Sequence, residues 1–259
     1  MLRPKQKQSD ALGFSFCESW SVFVKHFRLS LYSLSNPCQS RQTQLKDNLT
    51  MDIKSEQSLR EYFPPTMELA KSKQMSRLDK HSRNFISKSP FLCLSTANKF
   101  GKADVSPRGD PPGFVQVQDD KTLIIPDRPG NHRLDTMVNI VENPNVGLLF
   151  FIPGIEDTLR VAGRAKIIKD EAVLARCTVN GKIPQIGISV EIDEIFFHCA
   201  KALKRSHLWS DQNRLSKSEM PTLARIILDQ TSLGGQCEDD TAVVDTEKDI
   251  QEGYIKELY

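Results

Sequence analysis

Short apolar runs separated by turn residues fill the part of the chain that begins near residue 90. Four of them, FLCLSTA, ADVSP, FVQVQ and TLIIP, follow one another between Phe91 and Pro126, with NKFGK, RGDPPG and DDK between them. Short runs of alternating or β-branched residues bounded by Gly, Pro, Asn and Asp are typical of strands joined by turns. The pattern predicts a series of short strands here.

The same kind of pattern continues with longer runs. VGLLFFI and TLRVAGRAKII flank the turn PGIED, which predicts a hairpin. Gly163 within the second run predicts either a bulge or a close approach of another backbone or a flat ligand. GISVEIDEIFFHC predicts a strand pair or one long bent strand.

Helical spacing occurs in four segments between or beside these runs: TMELAKSKQMSRLDKHSRNFI, RLDTMVNIVEN, DEAVLARC and AKALKRSHLW. The second segment predicts a short helix with one face formed by Leu134, Met137, Val138 and Val141. Parallel strands need a crossover, usually a helix, at nearly every connection, and most connections here are short turns. The expected fold is therefore mainly β with peripheral helices, an antiparallel barrel.

Composition and charge narrow the functional classes. The chain has 259 residues, 39% hydrophobic and 26% charged, which suits one large domain or two small ones. A formal net charge of +2 gives no overall bias toward nucleic acid or a membrane surface, so neither partner is expected. Six cysteines lie far apart with no C-x-x-C pair, which favours reduced thiols and an intracellular, cytoplasmic protein.

The two ends differ from the middle. Residues 1–50 are basic and serine-rich, and charged residues interrupt their apolar stretch, so no membrane span is expected. They are interpreted as a disordered extension, or as an upstream addition to a chain whose translation could start at Met51. The alternative is a mitochondrial leader, which would change the expected location from the cytoplasm to the mitochondrion. Residues 51–231 are expected to form one globular domain. Residues 232–259 are acidic and lack periodicity, which predicts a tail.

Arginines cluster beside two turns. In SPRGDPPG, the Arg-Gly-Asp tripeptide is interpreted as part of a turn rather than as an adhesion signal, but Arg108 could present its guanidinium to a phosphate. In IPDRPGNHRLDT, Arg128, Asn131 and Arg133 precede a predicted helix, where backbone N–H groups favour anions. A solvated turn with Asn131 as the helix cap is the alternative. Along TLRVAGRAKI, Arg160 and Arg164 share one face, and at least one of them is expected to be merely solvated.

The stretch FFHCAKALKRSHLW holds two histidines, a cysteine and several cations. Its His and Cys spacing does not match a zinc site, so no metal is expected. If the segment after Cys199 is helical, Lys201 and Arg205 share one face and Trp209 lies near it. Two cations beside an indole could hold a flat, anionic, aromatic ligand.

These motifs, in this order, resemble those of the pyridoxamine 5′-phosphate oxidase-like superfamily. SPRGD, DRPGN, NPNVGLLFFIPG, TLRVAGRA and FFHCAKALKRSHLW are similar to those of its FMN-dependent branch with DRPGN and HCAKA signatures, over roughly residues 76–228. The resemblance implies a split β-barrel homodimer with FMN at two sites across the subunit interface.

The resemblance also implies roles for individual residues. Arg108, Arg128, Asn131 and Arg133 would hold the FMN phosphate and ribityl chain, and Ser106 would lie near the flavin edge. The site would be closed by Lys201, Arg205 and Trp209, which the partner subunit could supply. The arginine-rich pattern with which pyridoxamine phosphate oxidases grip their substrate is missing near the C-terminus, so pyridoxamine phosphate is not expected as the substrate.

The function expected from these observations is a flavoprotein that uses FMN for oxidoreduction of a small molecule, whose catalytic residues the sequence does not identify. Because the flavin carries the redox chemistry, the protein need not supply a strong acid or base. A non-catalytic protein that holds a flavin for sensing, storage or sequestration would need the same anion site. A structural barrel with a decayed pocket is the third possibility.

Overall fold

The computed structural model describes residues 52–259, which fall into two units divided after Pro64. In the first unit, the described residues contain a short helix, α1 (Glu56–Arg60), whose first turn is capped by the side chain of Ser55. The predicted extension over residues 1–50 lies outside the described residues. In the described part of the chain, no helix is long and apolar enough to cross a membrane.

The second unit is built around a seven-stranded antiparallel sheet with the order β2-β1-β5-β6-β7-β4-β3. The strands are β1 (Phe91–Ala97), β2 (Ala103–Gly109), β3 (Gln116–Val117), β4 (Thr122–Pro126), β5 (Asn145–Ile152), β6 (Ile155–Ile168) and β7 (Gly187–His198). The expected mainly β, antiparallel class is confirmed. GISVEIDEIFFH forms one long strand rather than a pair.

The sheet curls until the edge strand β2 approaches the residues that follow β4. The strand pairing connects Arg108 on β2, through β1, β5 and β6, to Phe197 near the end of β7. The Arg108 side chain nevertheless contacts Asp127, whose N–H donates to the carbonyl of Ile186, just before β7 begins. Nearly the whole length of β7 separates these two positions, and such a stagger accompanies barrel closure. In the described residues, no backbone ladder joins β2 to β4, so the barrel is split there.

The core fills the inside of this curled sheet. It is formed by alternate residues of neighbouring strands, among them Leu92, Leu94, Leu148, Phe150, Leu159, Val161, Ile188, Val190 and Ile195. Because directly paired residues point to the same face, the ladder places these side chains together. Fully burying one such side chain contributes about 1.5–3 kcal/mol.

The predicted hairpin and bulge are both present. β5 and β6 are joined at Pro153 and Gly154, and Gly154 has φ of +83°, which favours glycine. At Gly163 the β6–β7 register shifts, and a Cβ added there would lie 2.1 Å from the carbonyl oxygen of Glu191. Both earlier interpretations of Gly163, a bulge and a close backbone approach, therefore describe the same feature.

The helices of the second unit flank the sheet. They are α2 (Glu68–Ser72), α3 (Lys80–Lys88), α4 (Asp135–Glu142), α5 (Glu171–Leu174), α6 (Lys201–Ser206), α7 (Leu223–Thr231) and α8 (Asp240–Lys256). Short 3-10 turns follow at Ala175–Cys177, Asp211–Asn213 and Lys217–Glu219.

The first predicted helix is broken into α2 and α3. Between them, Met75 exchanges backbone hydrogen bonds with Ile195 of β7, and the Leu78 N–H donates to the Asp120 carbonyl. The backbone groups of Met75 and Leu78 therefore bond to the sheet and its turn instead of continuing a helix. The new helix then begins with a reciprocal cap between Asp79 and Ser82.

Most of the apolar face predicted for α4 is exposed. Met137 is buried, but Val138 and Val141 are 52% and 77% exposed, and Leu134 is also exposed. The helix instead buries Thr136, Asn139 and Ile140. The reason is polar pairing across the contact with β1, where the Asn139 amide donates to the Thr96 hydroxyl at 3.0 Å.

The segment expected to be an acidic tail contains ordered structure. α8 packs beside α7, with Ala224 and Val243 buried. Arg225 of α7 pairs with Asp240 at the start of α8, and its Nη1 also donates to the Cys237 carbonyl at 2.7 Å. Asp240, one of the acidic residues of the predicted tail, thus joins α7 and α8.

Candidate functional site

The inner face of β2 carries polar side chains beside the apolar core. Asp104, Ser106 and Arg108 are partly buried and alternate with exposed Val105 and Pro107. The register pairs these three polar residues with the core-facing positions of β1. Because β2 lies at the edge of the sheet, this face is where a polar ligand could enter the open side of the barrel.

The Ser106 hydroxyl lies under α4. The Thr136 hydroxyl is 3.1 Å from Ser106 Oγ and 3.2 Å from Asp104 Oδ2, and both oxygens can accept its proton. When the Ser106 oxygen accepts this bond, its own O–H can still be donated. In that arrangement the contact holds Ser106 in place without using up its donor.

Arg108 lies where β2 meets the residues that follow β4. We call this region the junction and define it by residues 108–110 and 127–128. Arg108 Nη1 donates to Asp127 Oδ1 at 3.1 Å, and the Arg108 side chain is 18% exposed. Its Nε is buried and has no hydrogen-bond partner among the described residues. A buried donor without a partner is costly, and a ligand oxygen would satisfy it.

Arg128 forms the second half of the junction. Its Nε donates to Asp110 Oδ2 at 2.6 Å, and its Nη2 donates to the Cys177 carbonyl at 2.8 Å. The Asp110 side chain is 1% exposed, so the carboxylate of the Arg-Gly-Asp tripeptide is buried and unavailable for adhesion. Burial also raises the pKa of the Cys177 thiol, which lies beside this group.

Tyr259 returns to the same place from the end of α8. Its hydroxyl donates to Asp110 Oδ1 at 2.7 Å, and its ring lies 5.5 Å from the Arg128 guanidinium carbon. The hydrogen bond to Asp110, with burial, raises the pKa of Tyr259 above its usual value. Lys182 Nζ donates to the Tyr259 carbonyl at 2.5 Å.

Asn131 and Arg133 lie in the exposed loop between β4 and α4. The Asn131 side-chain oxygen accepts from the Arg133 N–H, and Arg133 Nε donates to Asp135 at 2.8 Å, which raises the Arg133 pKa. Asn131 does not cap α4. The cap position is Leu134, with φ of +60° and no side-chain hydrogen bond, so the helix N-terminus keeps free N–H groups.

Lys201, Arg205 and Trp209 follow the carboxyl end of β7. α6 follows β7 and ends at His207 in the left-handed conformation. Two contacts hold α6 against the β5–β6 turn: Trp209 Nε1 donates to the Ile155 carbonyl at 2.9 Å, and Lys204 pairs with Glu156 at 2.5 Å.

In residues 52–259, no hydrogen bond or ion pair joins the two predicted groups directly. Pro126, next to the junction, pairs with Gly187 at the beginning of β7, whereas α6 follows His198 at its end. At about 3.3 Å per residue, the two ends of β7 are roughly 35 Å apart along the strand. The ladder from Arg108 through Leu92 to Phe150, however, ends beside the β5–β6 turn that the α6 region contacts. Ser106, Arg108 and Arg128 share one region, while Lys201, Arg205 and Trp209 share another.

The arginines of β6 are surface residues. Arg164 pairs with Glu191 on β7 at 3.2 Å, and Arg160 lies over the ring of Phe196. Among residues 52–259, no three His, Cys, Asp or Glu side chains are grouped as metal ligands would be.

The partners of the junction arginines were not predicted from the sequence. Asp110 and Asp127 stand beside the motif arginines in the sequence, so their proximity was visible, but the crossed pairing of residue 108 with 127 and 128 with 110 was not. Lys182 and Tyr259 gave no local signal, because both reach the junction only through tertiary contacts.

Part of the chain matches a known protein family. Residues 78–199 match the family model described as pyridoxamine 5′-phosphate oxidase. This stretch, slightly under half of the chain, includes Ser106, Arg108, Arg128, Asn131 and Arg133 and ends before Lys201. The match supports the broader resemblance, and the narrower branch with DRPGN and HCAKA signatures stays a prediction. No curated protein matches the sequence.

Solved structures give weaker likenesses. HupZ from Group A Streptococcus is 18% identical, with a TM-score of 0.39, over 46% of this chain and 93% of that chain. General Stress Protein 26 from Bacillus anthracis str. Sterne is 20% identical, with a TM-score of 0.35, over 45% and 93%. An F420 reductase is 14% identical, with a TM-score of 0.34, over 47% and 98%. These values are too low to support a functional inference, and the fold assignment rests on the strand ladder of this chain.

Proposed function

We propose that this protein binds FMN at the junction and uses it as an oxidoreductase acting on a small molecule. The observation that carries the proposal is the buried, unpartnered Nε of Arg108 beside the available hydroxyl of Ser106. Two such donors on one strand face suit the oxygens of a phosphate or a polyol chain. The family match over residues 78–199 supports a flavin over other phosphorylated ligands.

The residues of the junction fit this group. Arg108 would donate its free Nε to a phosphate or ribityl oxygen, and Ser106 would donate to a nearby oxygen or to the flavin edge. When bound, the flavin supplies hydride or electron transfer. Asp127 and Asp110 hold the two guanidinium groups in fixed orientations, so little side-chain ordering remains when the ligand arrives.

The same ion pairs limit how much charge one chain offers. Each junction arginine is matched by one carboxylate, so the four side chains carry no net charge. A phosphate dianion would need further cations, and Lys201 and Arg205 are exposed and have no partner among the described residues. Among the described residues, no hydrogen bond or ion pair links them to the junction of their own chain.

We therefore propose a homodimer in which α6 of the partner subunit completes each site. The exposed apolar side chains of α4, Leu134, Val138 and Val141, flank the loop of Asn131 and Arg133 and offer a surface for such contact. Closed twofold dimers are the commonest homo-oligomers, and they repeat each site twice.

The first experiment is the visible spectrum of the purified protein, followed by identification of the cofactor that heat releases. We expect a flavin spectrum and FMN in the supernatant. Arg108→Ala should lose most of the bound flavin, whereas Arg164→Ala, which removes an exposed arginine of β6, should keep it. A colourless protein that takes up no added FMN would overturn the proposal.

Oxidation of reduced nicotinamide separates an enzyme from a non-catalytic flavin binder. We expect the FMN-loaded protein to oxidise NADH or NADPH with oxygen or an acceptor dye, faster than free FMN at the same concentration. A loaded protein that exceeds free FMN with neither donor would instead favour a role in flavin sensing or storage.

A further inference from the structure

Tyr259 touches two cations at once. Its ring covers one face of the Arg128 guanidinium, and its backbone oxygen accepts from Lys182 Nζ. Lys182 lies in the turn closed by Val179, shortly after Cys177, whose carbonyl accepts from Arg128. A single residue that follows α8 therefore bridges Arg128 and Lys182.

We propose that Arg128 and Lys182 form an anion subsite and that Tyr259 is its displaceable cover, so that the FMN phosphate and Tyr259 compete for it. This inference rests on the proposed flavin function and adds Lys182 and Tyr259 to the site. It also gives residues 240–259 a function, the control of ligand access.

The charges favour an anion once the cover has left. With Tyr259 in place, Arg128 Nη1 has no hydrogen-bond partner among the described residues, but the ring lies against the guanidinium. Arg128, Lys182 and Asp110 together carry one positive charge. Removing Tyr259 would free Nη1 and the Lys182 ammonium group for the same phosphate.

The cover is weakly anchored compared with what it covers. Residues 255–258 are exposed, and α8 buries only Val243 among its described residues. The Arg128–Asp110 pair, by contrast, involves a carboxylate that is 1% exposed. Segments with few buried apolar contacts open at lower free energy than the core, so Tyr259 can leave while the junction stays folded.

The test measures FMN affinity by flavin fluorescence for the wild type, Tyr259→Ala and Lys182→Ala. Tyr259→Ala keeps the backbone oxygen that accepts from Lys182 but loses the ring and hydroxyl that hold this residue over Arg128 and Asp110. Because the open form should then cease to be a minor population, Tyr259→Ala should bind FMN about tenfold more tightly. Lys182→Ala should bind it about tenfold more weakly, since it loses a charge-assisted contact. Tyr254→Ala is the matched control, because Tyr254 lies on α8 and is 56% exposed.

A second readout needs no flavin. Phenylglyoxal labelling of Arg128, followed by mass spectrometry, should become several-fold faster in Tyr259→Ala, while labelling of exposed Arg133 should stay unchanged. Unchanged labelling of Arg128 would show that Tyr259 does not shield it, and the proposal that Tyr259 covers this subsite would be wrong.

The two proposals fail in different ways. If the wild type binds FMN and Tyr259→Ala binds it equally or more weakly, the competition is overturned and the flavin function stands. If neither the wild type nor Tyr259→Ala binds FMN, the proposed flavin function is wrong, and so is the proposed competition between FMN and Tyr259.

Discussion

The basic residues of the junction and those of α6 differ in how the protein holds them. Arg108 and Arg128 are 18% and 17% exposed, and each is fixed by a carboxylate. Lys201 and Arg205 are exposed on a six-residue helix and have no partner among the described residues. Both groups were predicted from motifs of the same family resemblance.

This difference shows what each group can do in a single chain. Buried, paired arginines are already oriented, but their charge is largely neutralised by Asp127 and Asp110. Exposed cations keep their charge, but nothing in the described structure fixes their position. An anion site with both orientation and charge needs the two groups together, which is why a second copy of the chain enters the proposal.

The largest difference between the groups should appear in stability. Arg128→Ala leaves the buried Asp110 carboxylate without its cation, so the free energy of unfolding should fall by about 3 kcal/mol. Arg205→Ala, at an exposed position, should change it by less than about 0.5 kcal/mol. Urea denaturation measures both. Equal losses would show that the junction pair is no better fixed than the α6 cations.

Flavin affinity should distinguish the junction from other arginines. Arg108→Ala removes the unpartnered donor, and the loss of a charge-assisted contact is typically about 1.5–3 kcal/mol, or roughly 10- to 150-fold in Kd. Arg108→Lys keeps the charge without the fork and should fall between alanine and the wild type. Fluorescence titration with FMN gives the values, and Arg164→Ala is the control. Wild-type affinity in Arg108→Ala would remove this assignment.

Mixing two defective chains tests whether the groups meet between subunits. If Arg108→Ala and Arg205→Ala each bind FMN poorly, random exchange into twofold dimers should restore about a quarter of the wild-type sites. Half of the dimers would then be mixed, and each mixed dimer would hold one intact site. Flavin retained after gel filtration measures the recovery. No recovery, with subunit exchange confirmed by mass spectrometry, would place both groups in one chain's site or in different sites.

The smallest effect concerns the anchor of α6. Trp209→Phe removes the hydrogen bond to the Ile155 carbonyl at a partly exposed position, so we expect a stability loss of about 0.5–1.5 kcal/mol. Urea denaturation should place this loss below that of Arg128→Ala. A loss as large as that of Arg128→Ala would mean that α6 is as firmly built into the fold as the junction.

The sequence by itself determined most of the strands and their mode of pairing. Alternating runs between short turns require antiparallel strands, and the Pro153–Gly154 turn joins two of them as predicted. The Gly163 bulge was also visible, because glycine inside a strand leaves room for a neighbouring backbone. These features depend on residues close together in the chain.

Only the tertiary structure decided what surrounds the candidate site. The stagger of the barrel brings Arg108 to Asp127 and Arg128 to Asp110, and a row of local motifs contains no information about that offset. The polar face of α4 is buried because Asn139 finds Thr96, a partner more than forty residues away. Tyr259 reaches Asp110 across 149 residues. Such contacts follow from how the chain closes on itself, which no local periodicity specifies.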